Sequence, residues 1–258
     1  MQKTINLNAD MGESYGAYTL GKDATMLDIV TSANIACGYH AGDPSVMLET
    51  VRLATAKGVS IGAHPAYPDL QGFGRRPLQM AHDDITAMVM YQIGALMGIA
   101  ASLNVAVSHV KPHGALNNMA CKDAGIAQAI ARAVHAISPR LILLAPTGSQ
   151  LYHAGITKNL HTAGEIFADR AYDDEGNLVP RSQPGAVIHD PAQCAAHVLA
   201  LLDQGLPGQD AGAKATSSIH SVCVHGDTED AVRISQRVRD VLVAHGYAIQ
   251  PLPQVLSL

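Results

Sequence analysis

Asp10, His40, His64, Lys111, His113, Glu165 and His225 stand at or just beyond the ends of short β-rich runs, with Asp227 close behind the last of them. The chain has no G-x-S-x-G elbow and no paired cysteine. Imidazoles and carboxylates in such a setting point to general acid–base work on water, or to metal-assisted hydrolysis, rather than to a covalent acyl-enzyme. Lys111, near His113, offers a fixed cation for a developing oxyanion or a phosphoryl group. Asp10, His64 and His113 are the candidate ligands if a divalent metal takes part, although no H-E-x-x-H pair marks the site. Arg75 and Arg76 follow Gln71-Gly72-Phe73-Gly74 and suit bidentate capture of a carboxylate. Each group also has a plainer reading: a hydrogen-bonded strand-end histidine, a salt-bridged lysine, a solvated arginine pair, a helix-capping Asp227. Their coincidence on several strands is what argues for a catalytic rim.

The elements that must hold these residues alternate along the chain. Strands are expected near 3–9, 32–37, 59–63, 105–110, 140–145, 159–163 and 221–224, with helical patterns between them. On the first strand Ile5, Leu7 and Ala9 share one face and Thr4, Asn6, Asn8 and Asp10 the other. Val59, Ile61 and Ala63 are opposed in the same way to Ser60, Gly62 and His64. Helices on the outside would take the apolar sets, leaving the polar sets to point inward. No G-x-G-x-x-G follows the first strand and no G-x-x-x-x-G-K-[ST] occurs, which argues against an open nucleotide-binding sheet. With no long linker, the expectation is a single (β/α) barrel domain spanning 1–258, an irregular seven-stranded one, whose strand ends meet at one rim.

Asp43-Pro44 reads as a helix start, and Lys57-Gly58 as its end. A second helix is expected from Asp227 to His245, with Gly246 after it. Ile85–Ser108 carries no charge and is long enough for a bilayer span. Asn104 and the β-branched alternation from Val105 favour a buried helix followed by a strand, with Gly94 and Gly98 as close-packing positions. Ala168–Ala186 reads as a polar excursion or lid over one face, and Leu206–Ser218 as a surface loop.

Composition narrows the function classes. Lys and Arg number 17 against 22 Asp and Glu, a net charge of -5, so no basic field gathers nucleic acid. The cysteines form no C-x-x-C pair, as expected of reduced thiols in the cytoplasm. Polar residues interrupt MQKTINLNAD, so no secretory h-region is expected, and no membrane partner.

The blocks LNADMGESYG (7–16), NIACGYHAGDP (34–44), GAHPAYPDLQGFGRR (62–76), VKPHGAL (110–116), GEIFADRAY (164–172), LVPRSQPGAVI (178–188) and VCVHGDT (222–228) resemble the LamB/YcsF family, in order and along nearly the whole chain. The resemblance implies an α/β fold, a seven-stranded TIM-like barrel related to NodB-type carbohydrate deacetylases. It also implies a reaction in which 5-oxo-L-proline and the co-substrate ATP give L-glutamate, ADP and phosphate, carried out with partner subunits B and C. Within those blocks Asn8, Asp169, Arg170 and Asp227 join Arg75 and Arg76 as candidate substrate-binding residues. Asp10 and His113 would then act on the attacking water, Lys111 and His225 on negative charge at oxygen, and Arg76 or Arg170 on the substrate carboxylate. In the absence of a Walker motif, the loops at Gly12, Gly38 and Gly72 are candidates for phosphate, as are the partners. One departure stands out: the family's K-P-H-G-A-L-Y-N reads Leu116-Asn117-Asn118 here, replacing an aromatic ring with a carboxamide. A stand-alone metal-dependent amidase or deacetylase, or a non-catalytic lactam-binding scaffold, remain as alternatives, and self-association is left open.

Overall fold

The structure, a computed structural model, describes residues 3–208, 219–225 and 230–258. Strands β1 (Lys3–Met11), β2 (Ser32–Ala36), β3 (Ser60–His64), β4 (Val107–Val110), β5 (Ile142–Pro146), β6 (His161–Phe167) and β7 (Ile219–Val224) pair in parallel, each with the next. β7 returns to β1, so the seven strands close on themselves. The alternation read from the sequence is the reason closure works. Ile5, Leu7 and Ala9 are buried in the apolar shell beneath the helices, while Asn6 and Asn8 are buried inside the barrel.

That interior is polar because its groups satisfy one another. Asn6 Nδ2 donates to Ser32 Oγ at 2.8 Å, Ser221 Oγ to Asn6 Oδ1 at 2.6 Å, and Asn8 Nδ2 to Ser221 Oγ at 2.7 Å. Asn34 Nδ2 donates to Asn8 Oδ1 at 2.8 Å, and the His109 ring meets Asn34 Oδ1 through Nε2 at 3.0 Å. A matched network of this kind avoids the ~1–3 kcal/mol that each orphaned buried group would cost. The strand register shifts between Ile61 and Gly62, and a Cβ at Gly62 would collide with the His109 ring. Glycine is therefore what admits that ring to the barrel.

The outer layer comprises α1 (Asp23–Met26), α2 (Pro44–Ala56), α3 (His82–Ser102), α4 (Gly114–Ala120), α5 (Ala124–Ile137), α6 (Gln150–Thr157), α7 (Pro191–Gln204) and α8 (Ala231–Ala244). Asp43 caps α2 as its sequence predicts, accepting from the Ser45 and Val46 amides, and Gly58 follows at φ +67°. α3 is long and apolar enough to cross a membrane, yet it lies against the barrel through Ile85, Val89, Ile93 and Leu96. It ends before Asn104, whose φ of +58° turns the chain toward β4. The expectation for Gly94 and Gly98 is corrected: both are exposed, with open space where a side chain would go.

Two elements were not expected. β8 (Tyr247–Ile249) pairs with the start of β1, and α9 (Leu252–Val255) follows. Gln250 offers its carbonyl to Asn6 and Thr31, and Leu252 packs with Ile142, Leu144 and Ala163. Together they plug the N-terminal end of the barrel, leaving the C-terminal end as the open one.

Candidate active site

At the C-terminal end the strands and their loops enclose a cavity of about 900 Å³. Asp10, His64, Lys111, His113, Glu165 and His225 all line it, as do Arg75 and Arg170. β1, β3, β4, β6 and β7 each deliver one or more of these groups from their last residues or the position just beyond, so parity and parallel pairing together create the cluster.

Lys111 is the hub of the floor. Its Nζ lies 3.0 Å from Asp10 Oδ1, 3.2 Å from Asn8 Oδ1, 3.0 Å from Cys223 Sγ and 3.3 Å from Glu165 Oε2. Burial alone would strip its proton, but Asp10, with Cys223 and Glu165, holds the ammonium well above the usual lysine range. For Asp10, burial works against ionisation, and His64 and Lys111 overcome it, keeping the carboxylate charged. Glu165 goes the other way: burial pushes its carboxyl up.

The histidines are oriented by backbone carbonyls. His64 Nδ1 donates to the Lys111 carbonyl at 2.6 Å, and His113 Nε2 to the Phe73 carbonyl at 2.9 Å. The opposite nitrogens, His64 Nε2 and His113 Nδ1, face each other across 2.9 Å. Asp10 Oδ2 lies 3.2 Å from His64 Nε2, and Glu13 Oε1 3.7 Å from His113 Nδ1. Two ring lone pairs at that separation, beside carboxylates, require a proton or a cation between them. Ring N–H groups tied to backbone carbonyls are the usual second shell of metal-bound imidazoles. His40 stacks on His113 with ring centroids 3.8 Å apart, meets Glu13 Oε1 at 3.0 Å, and leaves its buried Nδ1 without a partner. Glu13, His40, His64 and His113 thus form a set able to hold a metal ion, with Asp10 adjoining. Burial, then neighbouring imidazoles, keeps His113 and His40 neutral, the form that ligates.

Across the cavity, His225 Nδ1 contacts both oxygens of Asp169 at 2.8 Å. Burial favours the neutral ring, but Asp169 prevails and raises its proton affinity. Asp169 is therefore placed behind His225 rather than on the cavity wall. Asn8 lies beneath the floor, its amide bonded to Ser221, Glu165, Asn34 and Lys111. Arg76 points away and pairs with Asp69, whose carboxyl its guanidinium draws down to about 2. Arg75 lies over the Phe73 ring on the cavity side. Arg170 is buried, its Nε and Nη2 on the Ala186 and Val179 carbonyls. Asp227, and with it the expected first turn of the last helix, lies outside the described residues, as does 209–218 of the expected surface loop.

The expected phosphate loops are corrected. The amides of Gly12, Gly38 and Gly72 donate to Asp23, the Ala41 carbonyl and Asp69, and none of these glycines lines the cavity. The polar excursion does reach the site: Tyr172, Asn177, Leu178 and Arg181 form one wall, with Tyr172 bridged to Leu178. Sequence reasoning missed Glu13, which lies past the end of the strand alternation, and Cys223, whose in-phase position on β7 was a usable signal. His109 is spaced four residues from His113, but its bond to Asn34 keeps it below the cluster. Asn117, which departs from the family pattern, is buried on the cavity wall with Oδ1 unpartnered.

The sequence pattern of the LamB/YcsF family matches residues 5–257. The chain belongs to the LamB/YcsF family. Among LamB/YcsF relatives it is 56% identical to the A subunit of 5-oxoprolinase from an Azoarcus species, over 97% of this chain and 98% of that one. The crystal structure of a lactam utilization protein from Thermus thermophilus superposes with a TM-score of 0.86 at 40% identity, covering 96% of this chain and 99% of its own. The catalytic domain of a peptidoglycan N-acetylglucosamine deacetylase from Eubacterium rectale shares the LamB/YcsF fold more distantly, with a TM-score of 0.50 at 12% identity over 99% of this chain and 90% of that one.

Proposed function

We propose that this chain is the A subunit of an ATP-dependent 5-oxoprolinase, opening the lactam of 5-oxo-L-proline to L-glutamate together with partner subunits. The observation that carries this reading is the convergence of Asp10, His64, His113, Lys111 and His225 on one cavity; the relatives' names and the lactam utilization protein supply the substrate class. The cavity, about 900 Å³, is far larger than a lactam ring needs and leaves room for a second substrate.

Amide hydrolysis needs a deprotonated water, a sink for charge on oxygen, and a hold on the substrate. Asp10 stays ionised and so is equipped to take a proton from water, while the neutral His113 ring, its Nε2 committed to the Phe73 carbonyl, keeps Nδ1 for a cation. His225, with Nδ1 occupied by Asp169, turns Nε2 to the cavity as a cationic donor toward oxygen. Lys111 balances the charge of the floor carboxylates, and Arg75 is placed to receive the substrate carboxylate. A divalent cation held by Asp10, His64 and His113, with Glu13 and His40 beside them, would polarise the carbonyl and acidify water. ATP would drive the reaction by phosphorylating the amide oxygen, which makes the ring carbon a better electrophile; the carbon–nitrogen bond then breaks to leave an acyl phosphate, and hydrolysis of that releases phosphate.

The test is glutamate release from 5-oxo-L-proline and ATP, run with this chain alone and with both partner subunits. Product only in the complete mixture supports the reading; lactam opening by the chain alone, without ATP and abolished by chelation, supports a stand-alone metal-dependent amidase, which the facing histidine lone pairs favour as a second reading. Lactam binding that survives Asp10→Asn, with turnover unchanged, would reduce the chain to a scaffold.

A further inference from the structure

Two guanidinium groups on the cavity wall, those of Arg170 and Arg181, form no ion pair among the described residues. Arg170 is fixed from behind. Its backbone bridges to Val187, and its Nε and Nη2 donate to the Ala186 and Val179 carbonyls at 3.3 and 2.6 Å, which leaves Nη1 for the cavity. Arg181 belongs to the excursion, is exposed, and makes no hydrogen bond among the described residues. The two groups are close enough to oppose each other: burial, then Arg181, loosens the hold of Arg170 on its proton, and Arg75 approaches from the loop after β3. Asp169, whose charge reaches both Arg170 and Arg181, has its two oxygens on His225 Nδ1. Guanidinium stays charged under such pressure, so this wall is built to receive an anion. The single carboxylate of a lactam acid accounts for Arg75. Two further guanidinium forks beside His225 suit a polyphosphate, whose oxygens they can grip in pairs.

We infer that Arg170 and Arg181 form the subsite for the terminal phosphates of ATP, holding the γ-phosphoryl group against the lactam oxygen beside His225. This deepens the 5-oxoprolinase reading and rests on it. In the transfer the lactam oxygen bonds to the γ-phosphorus while the bond from that phosphorus to the bridging oxygen of ADP breaks. The electron pair of the broken bond leaves with ADP. The ring nitrogen keeps its proton and shares its lone pair with the ring carbon, so the phosphorylated ring is an iminium. Charge spreads over the phosphoryl oxygens as they pass between the two partners, and fixed guanidinium donors are suited to stabilising it.

Arg181→Ala removes a side chain that supports nothing else, so its effect reads the subsite directly. In the assembled enzyme it should raise KM for ATP by ~10-fold or more while KM for 5-oxo-L-proline stays within about threefold. Inorganic triphosphate should compete with ATP in the wild-type assembly and do so ~10-fold more weakly in the variant, which separates phosphate recognition from contact with the nucleoside. Arg170→Gln should lower kcat by ~10²-fold. Thermal melting identifies loss of fold, and if Arg170→Gln melts early the Arg181 comparison carries the prediction. An Arg181→Ala variant with unchanged KM for ATP, a defect confined to KM for 5-oxo-L-proline, or equal competition by triphosphate in both proteins would overturn the inference. No glutamate from the wild-type assembly would instead remove the functional reading on which it stands.

Discussion

Asp169 and His225 illustrate how far a residue's partner decides its task. His225 was legible as a rim residue and Asp169 only as a substrate-binding candidate within the family blocks; the structure shows the carboxylate behind the ring, locking Nδ1 and favouring the charged imidazole. Because the folded ring holds its proton more tightly than a free histidine, the cationic form survives to higher pH than usual. The pair stabilises the fold between two limits. It weakens as pH falls through the depressed titration of Asp169 and as pH rises through the raised titration of His225. Asp169→Asn removes the attraction, so the alkaline limb of the kcat profile should move to lower pH; a profile that stays in place would deny His225 a catalytic proton. Other roles were not readable from residue type. Arg75 and Arg76 are adjacent and identical, and only the loop geometry sends one to the cavity and the other to Asp69.

At the scale of elements, alternation carried most of the information. Polar and apolar residues take turns along β1 and β3, and that pattern predicted both the inward face and the rim. Helix ends were equally clear where a capping aspartate and a trailing glycine bracket the segment, as at Asp43 and Gly58. What was hidden depended on contacts remote in sequence. Gly94 and Gly98 look like packing glycines but face open space, whereas Gly62 looks like an ordinary strand residue and is pressed against His109. Three residues of β8 and the four-residue α9 are too short for periodicity to register, yet they plug the barrel. Gly62→Ala should push the His109 ring off Asn34 and destabilise the fold by about 1–3 kcal/mol, read as a lower urea midpoint with an unchanged slope. Gly94→Ala, with space for its methyl on an exposed helix face, should be neutral or stabilising.

For the molecule as a whole, parallel closure gathers side chains separated by more than 200 residues, from Asp10 to His225, around one cavity. One end of the barrel is filled by Leu252 and its neighbours, so access is from the other, where the acid–base groups and the excursion at 170–181 stand. The chemistry proposed depends on the lactam lying there. The most direct measurement is a crystal structure of the chain with 5-oxo-L-proline. The ring is expected in the cavity, its carbonyl near Asp10 and His225 and its carboxylate toward Arg75. A ring bound elsewhere on the molecule, with Asp10 and His225 untouched, would contradict the proposed chemistry.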